Sequence, residues 1–353
     1  MLWQETVLHT MNRRQFTSLS VGTVASVSAG GRASIRGEGF FSLRQGKTRW
    51  RLSAPDDSPF FSLGLNQIDA APVITVAEVR EWKRHYGRDA RQWIEQESDC
   101  CLERGGFNST GTDQAGINRP SFHLVPFSVA GEWDRRERQC NYLRPDWEDW
   151  CDHLAKAHCA PRAEDRNLIG YRYSESPCWL SKRPQSEWRG PFFDPGMLRS
   201  AAGRRQLRLL ARQYYRTTRD AILRYDPHHL IFGDCYGGAA PLPPEVYEEA
   251  VTRVDAFSFQ DFQDPIANLR IWYELTRKPV LLADTGEPNS ASGSRSGILR
   301  DPRWYASLLQ GLLAIPGCVG CHLSGSVGLD FASLQVYRDV NLATEKWTEV
   351  RAG

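Results

Sequence analysis

The sequence predicts an α/β protein, a (β/α)8 TIM barrel with a small N-terminal β-hairpin and extended βα loops. Three observations predict it. Eight short apolar runs alternate with stretches of helical periodicity, each run ends in polar residues, and no Gly-x-Gly-x-x-Gly follows any of them. Alternation of strand and helix argues for a parallel sheet. Eight units favour closure into a barrel, and the missing glycine signature argues against the nucleotide crevice of an open doubly wound sheet. A barrel of about 250 residues fits within the 353-residue chain with loops to spare.

Residues 1–36 read as an export signal and linker, and residues 37–353 as a single barrel domain. Asn12-Arg13-Arg14-Gln15-Phe16 precedes a weakly apolar stretch, Leu19 to Val27, that ends in Val27-Ser28-Ala29. Paired arginines before such a stretch resemble a twin-arginine signal, which implies a periplasmic or secreted protein. No stretch approaches the roughly 18 apolar residues of a membrane span. The run Thr48 to Ser53, followed by the turn signal Ala54-Pro-Asp-Asp-Ser-Pro59, suggests a hairpin capping the base of the barrel.

The expected barrel strands then follow in order at residues 60–66, 106–111, 122–127, 167–175, 228–236, 254–261, 279–284 and 319–325. Helical spacing covers 76–102 and 146–158, where Trp147, Trp150 and Leu154 form one stripe. It resumes over 198–225, with Leu207, Leu210, Tyr214 and Ile222 facing inward. Pro243-Pro244 opens a short helix, since proline suits the first helical turn. Residues 265–276, 302–315 and 331–350 supply the last three helices. The loop Cys178 to Met197, rich in Pro, Trp and Phe, is expected to overhang the barrel mouth, and 286–297 is a Ser/Gly loop.

Composition narrows the partners. A net charge of +2 with no basic stripe gives no nucleic-acid footprint. Twelve Trp and twelve Tyr offer faces suited to the C–H faces of sugars, although most are expected in the core. Nine cysteines leave at least one unpaired within the chain, and the adjacent Cys100-Cys101 falls on a predicted helix. Cys318-x-x-Cys321 has half the spacing of a zinc or redox site but no second half, so it reads as two small residues in a tight barrel strand. Without a His-x-His or His-Glu-x-x-His motif the sequence requires no metal and no other cofactor.

Barrel enzymes keep their reacting groups at the C-terminal ends of the strands. The fourth strand ends in Glu175 and the seventh in Asp284. Asp234 and Asp261 end strands five and six, as rival nucleophiles or as groups that hold sugar hydroxyls. Asn66, Asn108, His123, Tyr236, Gln260 and His322 also stand at expected strand ends, where amides, imidazoles and phenols bind hydroxyls. Trp179 and Trp188 are candidates for stacking on sugar rings.

Phe60-Phe-Ser-Leu-Gly-Leu-Asn66, Asn167-Leu-Ile-Gly-Tyr171, Leu230-Ile-Phe-Gly-Asp234 and Lys278-Pro-Val-Leu-Leu-Ala-Asp284 together resemble the beta-agarase-like glycoside hydrolases of the retaining (β/α)8 clan. The likeness spans roughly residues 48 to 325. It implies a glycosidase acting on a β-linked galactan of agarose type. Its acid/base carboxylate ends strand four and its nucleophile ends strand seven, which implies these roles for Glu175 and Asp284. Two positions depart from the family pattern. The usual Gly-Tyr-x-x-Asp-Asn-Glu would align its glutamate with Ser176, so Glu175 stands one position early. The strand-seven residue is Asp where the family has Glu.

Glycosidic cleavage needs an acid to protonate the leaving oxygen and a carboxylate to attack or to activate water. Glu175, beside Tyr173, Pro177 and Trp179, has the more apolar neighbours and suits the acid/base role, because an apolar setting favours the protonated form. Asp284, followed by Thr285 and Gly286, is read as the nucleophile, with Asp234 and Asp261 as its rivals. A carboxyl separation of about 5–5.5 Å implies retention and about 6.5–9.5 Å inversion. The shorter Asp widens the gap, so both outcomes stay open. A catalytically silent carbohydrate-binding barrel is the alternative that the early Glu175 suggests. A metal-dependent hydrolase built on Asp and His at the strand ends is a third.

Overall fold

A computed structural model of the chain describes residues 34–35, 39–66, 84, 99–111, 118–127, 142–175, 179, 195–239, 242–286, 302–324 and 331–352. The residues read as an export signal lie outside these, as does Trp188. A four-stranded antiparallel sheet comes first, with β1 (Ser34–Ile35), β2 (Ser42–Gln45), β3 (Trp50–Ser53) and β4 (Pro59–Phe60) in that order. The expected hairpin, with its turn at residues 54–59, is the β3–β4 pair, and β1 and β2 extend it into a sheet. Asp57 turns the chain between β3 and β4 in a left-handed conformation, φ 68°, and Asp56 accepts from the Ser58 amide and hydroxyl.

Eight parallel strands then close on themselves: β5 (Ser62–Asn66), β6 (Ser109–Thr110), β7 (Ser121–Leu124), β8 (Leu168–Glu175), β9 (Leu230–Gly237), β10 (Phe257–Gln260), β11 (Val280–Thr285) and β12 (Cys318–Ser324). Every expected barrel strand is present, and the β12–β5 pairing, Gly320 with Ser62 through Ser324 with Asn66, completes the ring. The helices among the described residues are α1 (Asp99–Gly105), α2 (Asp146–His158), α3 (Ala201–Tyr225), α4 (Pro244–Val251), α5 (Pro265–Thr276), α6 (Pro302–Leu313) and α7 (Phe331–Ala352). Ser200 caps α3 by accepting from the Gly203 amide, and Asp264 caps α5 through the Ala267 amide. Most of the 76–102 stretch lies outside the described residues, so only its end is seen, as α1.

Two cores follow from the alternation of side chains along the strands. On the outside, Leu63, Leu65, Tyr171, Tyr173, Ile231, Leu282 and Leu323 pack with helix residues such as Trp147, Leu207 and Leu309. On the inside, Phe122, Ile169, Leu230, Phe232, Leu281 and Val319 pack with Phe41, Leu43, Trp50 and Leu52 of the small sheet. That sheet therefore closes one end of the barrel, and backbone contacts identify which end. Trp50 donates its amide to the Pro316 carbonyl and its indole Nε1–H to the Arg277 carbonyl, both just before strands β12 and β11. The N-terminal end is stoppered, so the C-terminal end is the mouth.

Candidate active site

The upper interior of the barrel is polar. From β5, Ser62, Gly64 and Asn66 face inward, because Leu63 and Leu65 are committed to the outer core. Ser62 Oγ lies 2.8 Å from Ser109 Oγ and 2.8 Å from His322 Nε2. The His322 ring lies against Gly64, where a β-carbon would collide with it, and stands edge-on to Phe122. Burial, reinforced by the Arg172 guanidinium, drops the His322 imidazole to about 3, so the ring is neutral. Arg172, 3% exposed, donates from Nη2 to the Gly111 carbonyl at 2.6 Å and sits 5.9 Å from the Phe122 ring centre.

Asp284 is half-buried at the mouth, at the end of β11. Asn66 Nδ2 donates to Asp284 Oδ1 at 2.8 Å and to the Ala283 carbonyl at 2.7 Å. A bulge sets this geometry. Leu282 pairs with Cys321 and Thr285 with Leu323, so Ala283 and Asp284 together oppose His322 alone. The extra residue resets the alternation, and Asp284 pairs with Gln260, the residue after outward Phe259.

Strand β8 carries a second bulge at the same height. Arg172 pairs with Gly233 and Glu175 with Cys235, so Tyr173 and Ser174 together oppose Asp234. Cys235 belongs to the interior cluster, which gives Glu175 the register position of an interior residue. Alternation from Tyr173 without the bulge would have given it an exterior position. β8 and β11 are separated by β9 and β10 around the ring, so the two strand ends stand across the mouth from one another.

The barrel thus gathers Asn66, Gln260, Asp284 and His322 on its inner side, with Glu175 at an inner register position. The other residues singled out from the sequence are held elsewhere. Asp234, fully buried on the outer side of β9, accepts from Tyr214 at 2.8 Å, Tyr215 at 2.9 Å and Tyr236 at 3.2 Å. Tyr236 belongs to that same cluster and is hydrogen-bonded to Tyr215. His123 faces α2, its Nε2 3.0 Å from His158 Nδ1. Asn108 bridges the Phe61 carbonyl, the Leu63 amide and Glu345 on α7. Asp261 turns into the start of α5, accepting from the Gln263 and Asp264 amides and from Asn268 Nδ2. Trp179 is buried, stacked on Tyr215 and edge-on to Tyr214.

Two residues near the mouth were not singled out from the sequence. Arg172 is a charge inside an otherwise apolar strand run, and that interruption was its signal. Phe262 follows Asp261, is 44% exposed, and lies beside Gly286 just past Asp284. Nothing in the residue pattern distinguished it from other loop aromatics. Cys318 and Cys321 are buried free thiols on β12, and among the described residues no group of three or more His, Cys, Asp or Glu is arranged to hold a metal ion.

No protein-family model matches the chain, and no curated protein sequence matches it. Solved structures do. "The crystal structure of an agarase, AgWH50C" aligns with a TM-score of 0.65 at 13% identity, over 91% of this chain and 65% of that one. An exo-beta-agarase gives 0.65 at 12%, over 90% of this chain and 66% of the other. BpGH50 gives 0.65 at 13%, over 98% and 88%. The chain therefore spans just under two thirds of the first agarase's length. The barrel fold is shared with these proteins.

Proposed function

We propose that the protein is a glycoside hydrolase that cleaves a β-linked galactan, of agarose type, through Glu175 as acid/base and Asp284 as nucleophile. The observation that carries this reading is the pair of bulges. Each inserts one residue next to a strand-end carboxylate and gives it an interior register, on strands that face one another across the mouth. Bulges beside active sites commonly re-aim a side chain in this way. Glu175 stands one residue short of the family spacing, and the bulge restores the interior parity that the shorter spacing would otherwise reverse. The likeness to solved agarases supports the substrate class.

In this mechanism Glu175 protonates the glycosidic oxygen as it leaves, and Asp284 attacks the anomeric carbon or activates water for that attack. Asn66 holds Oδ1 of Asp284 and so fixes the aim of the carboxylate toward the reacting carbon. The exposed ring of Phe262 offers a face for a sugar next to Asp284. Residues 1–36 serve as a twin-arginine export signal, which brings the enzyme to polysaccharide outside the cytoplasm. Its partner is the carbohydrate itself.

The test is turnover of β-galactan oligosaccharides by the purified chain. Glu175→Gln and Asp284→Asn should each lower kcat by roughly 10²–10⁴-fold or more with native circular dichroism. The anomer first released, read by proton NMR, decides between retention and inversion. Full activity in either variant removes that residue from the mechanism. Binding of the oligosaccharides without release of reducing ends makes the protein a silent carbohydrate-binding barrel.

A further inference from the structure

The bulge that turns Asp284 into the mouth sets Ala283 and Asp284 together opposite His322. A single side chain reaches both residues. Each N–H of the Asn66 amide has its own acceptor, the Ala283 carbonyl and the Asp284 carboxylate. The amide is 9% exposed, and its Oδ1 has no hydrogen-bond partner. That oxygen abuts Gly111, where any β-carbon would collide with it. The Gly111 carbonyl is held in turn by Arg172 Nη2.

We infer that Asn66 is the positioning residue for Asp284, seated by Gly111. The inference rests on the reading of Asp284 as the attacking carboxylate. A rotated amide would set Oδ1 against a carbonyl and a carboxylate, so the chemistry of the site permits one orientation only. In that orientation Asn66 fixes Oδ1 of Asp284 and with it the aim of the carboxylate. Gly111 is obligatory because a side chain there would occupy the volume of the amide. Strands β5, β6, β8 and β11 are thereby tied together through Asn66, Gly111, Arg172 and Asp284.

Other ionisable groups flank Asp284 as well. Cys321 feels its charge from β12, and Asp261 donates its backbone amide to the Asp284 carbonyl while its own carboxylate turns to α5. Arg172 and neutral His322 occupy the interior, and Glu175 stands at the end of β8. None of these supplies the two donors that Asn66 does.

The experiment titrates Asp284 directly, by carboxyl ¹³C NMR of the full chain labelled at aspartate, with Asp284→Asn to assign the resonance. Asn66→Asp keeps the shape, removes the donor and adds a like charge, so the Asp284 midpoint should rise by about one unit or more. Asn66→Ala and Gly111→Ala should move it the same way by less. On β-galactan oligosaccharides, kcat should fall about 10²-fold with KM little changed, as expected for a misaimed reacting group. Unchanged midpoint and kcat in folded Asn66→Asp and Asn66→Ala chains would reduce Asn66 to a packing residue. If the midpoint shifts but Asp284→Asn retains full turnover, the positioning contact stands and the assignment of Asp284 as nucleophile falls.

Discussion

At the scale of single residues, Asp234 is a fully buried carboxylate that accepts from three tyrosines. Three phenolic hydroxyls converge on its two oxygens, and the group has no solvent exposure. A buried ion needs such a set of partners, since an uncompensated charge in a dry interior is very costly. Its neighbours Tyr214 and Tyr215 are also the rings on which Trp179 and Tyr142 pack, so the carboxylate organises a whole aromatic cluster between β9 and α3. Asp234→Ala should cost about 1–3 kcal/mol for each hydroxyl left without an acceptor. The fall in the urea midpoint measures it, and an unchanged midpoint would mean that the tyrosines find other partners.

At the scale of elements, the junction of α3, β8 and β9 depends on one buried hydrogen-bonded pair. Asp226 ends α3, accepts from the Tyr171 hydroxyl at 2.5 Å, and receives His229 Nδ1 at 2.6 Å. His229 Nε2 faces the Asp165 carbonyl at 2.7 Å, so each ring nitrogen has an acceptor before it. Burial pushes the Asp226 carboxyl up, but the His229 contact, with Tyr171 and the His228 amide, outweighs burial and holds it below the ordinary carboxylate value. A depressed folded value means that this contribution is fully present above the unfolded pKa, about 4, and is lost as pH falls through the folded value. Asp226→Asn should destabilise the protein by about 3–5 kcal/mol at neutral pH. Its urea midpoint should also depend less on pH below about 4 than that of the unmodified chain.

Elements are also where the sequence is hardest to read. The apolar runs identify each strand, but the side on which a strand-end residue emerges depends on counting residues in twos. One inserted residue reverses the count. Asp234 and Tyr236 looked like mouth residues and lie on the outer face, after a shift in pairing between Tyr171 and Arg172. A signal was present, because Gly233 interrupts the run and adopts φ 65°, and an isolated glycine in a strand often marks a bulge. Asp284 and Glu175 offered no glycine, and their bulges follow only from the pairing across neighbouring strands.

At the scale of the whole molecule, eightfold alternation was legible because each unit carries its own pattern and errors in one do not propagate. The role of the N-terminal sheet was legible for a different reason. A barrel of this size has an apolar interior that must be covered at one end, and the only unassigned apolar strands preceded it. The structure divides the interior accordingly, with Phe41, Leu43, Trp50 and Leu52 sealing the base and Asn66, Arg172, His322 and Asp284 lining the other end. Base and mouth should then respond differently to mutation, since stability is built at the N-terminal face of such barrels and chemistry at the C-terminal face. Trp50 tests this division, because its indole fills the base and bonds the Arg277 carbonyl. Trp50→Ala should remove about 3–5 kcal/mol and lower Tm by on the order of 10 °C. At temperatures where the variant remains folded, kcat on β-galactan oligosaccharides should match that of the unmodified chain, and the Asp284 carboxyl resonance should titrate as before. A kcat that fell in step with stability would show that the base and the mouth are one mechanical unit.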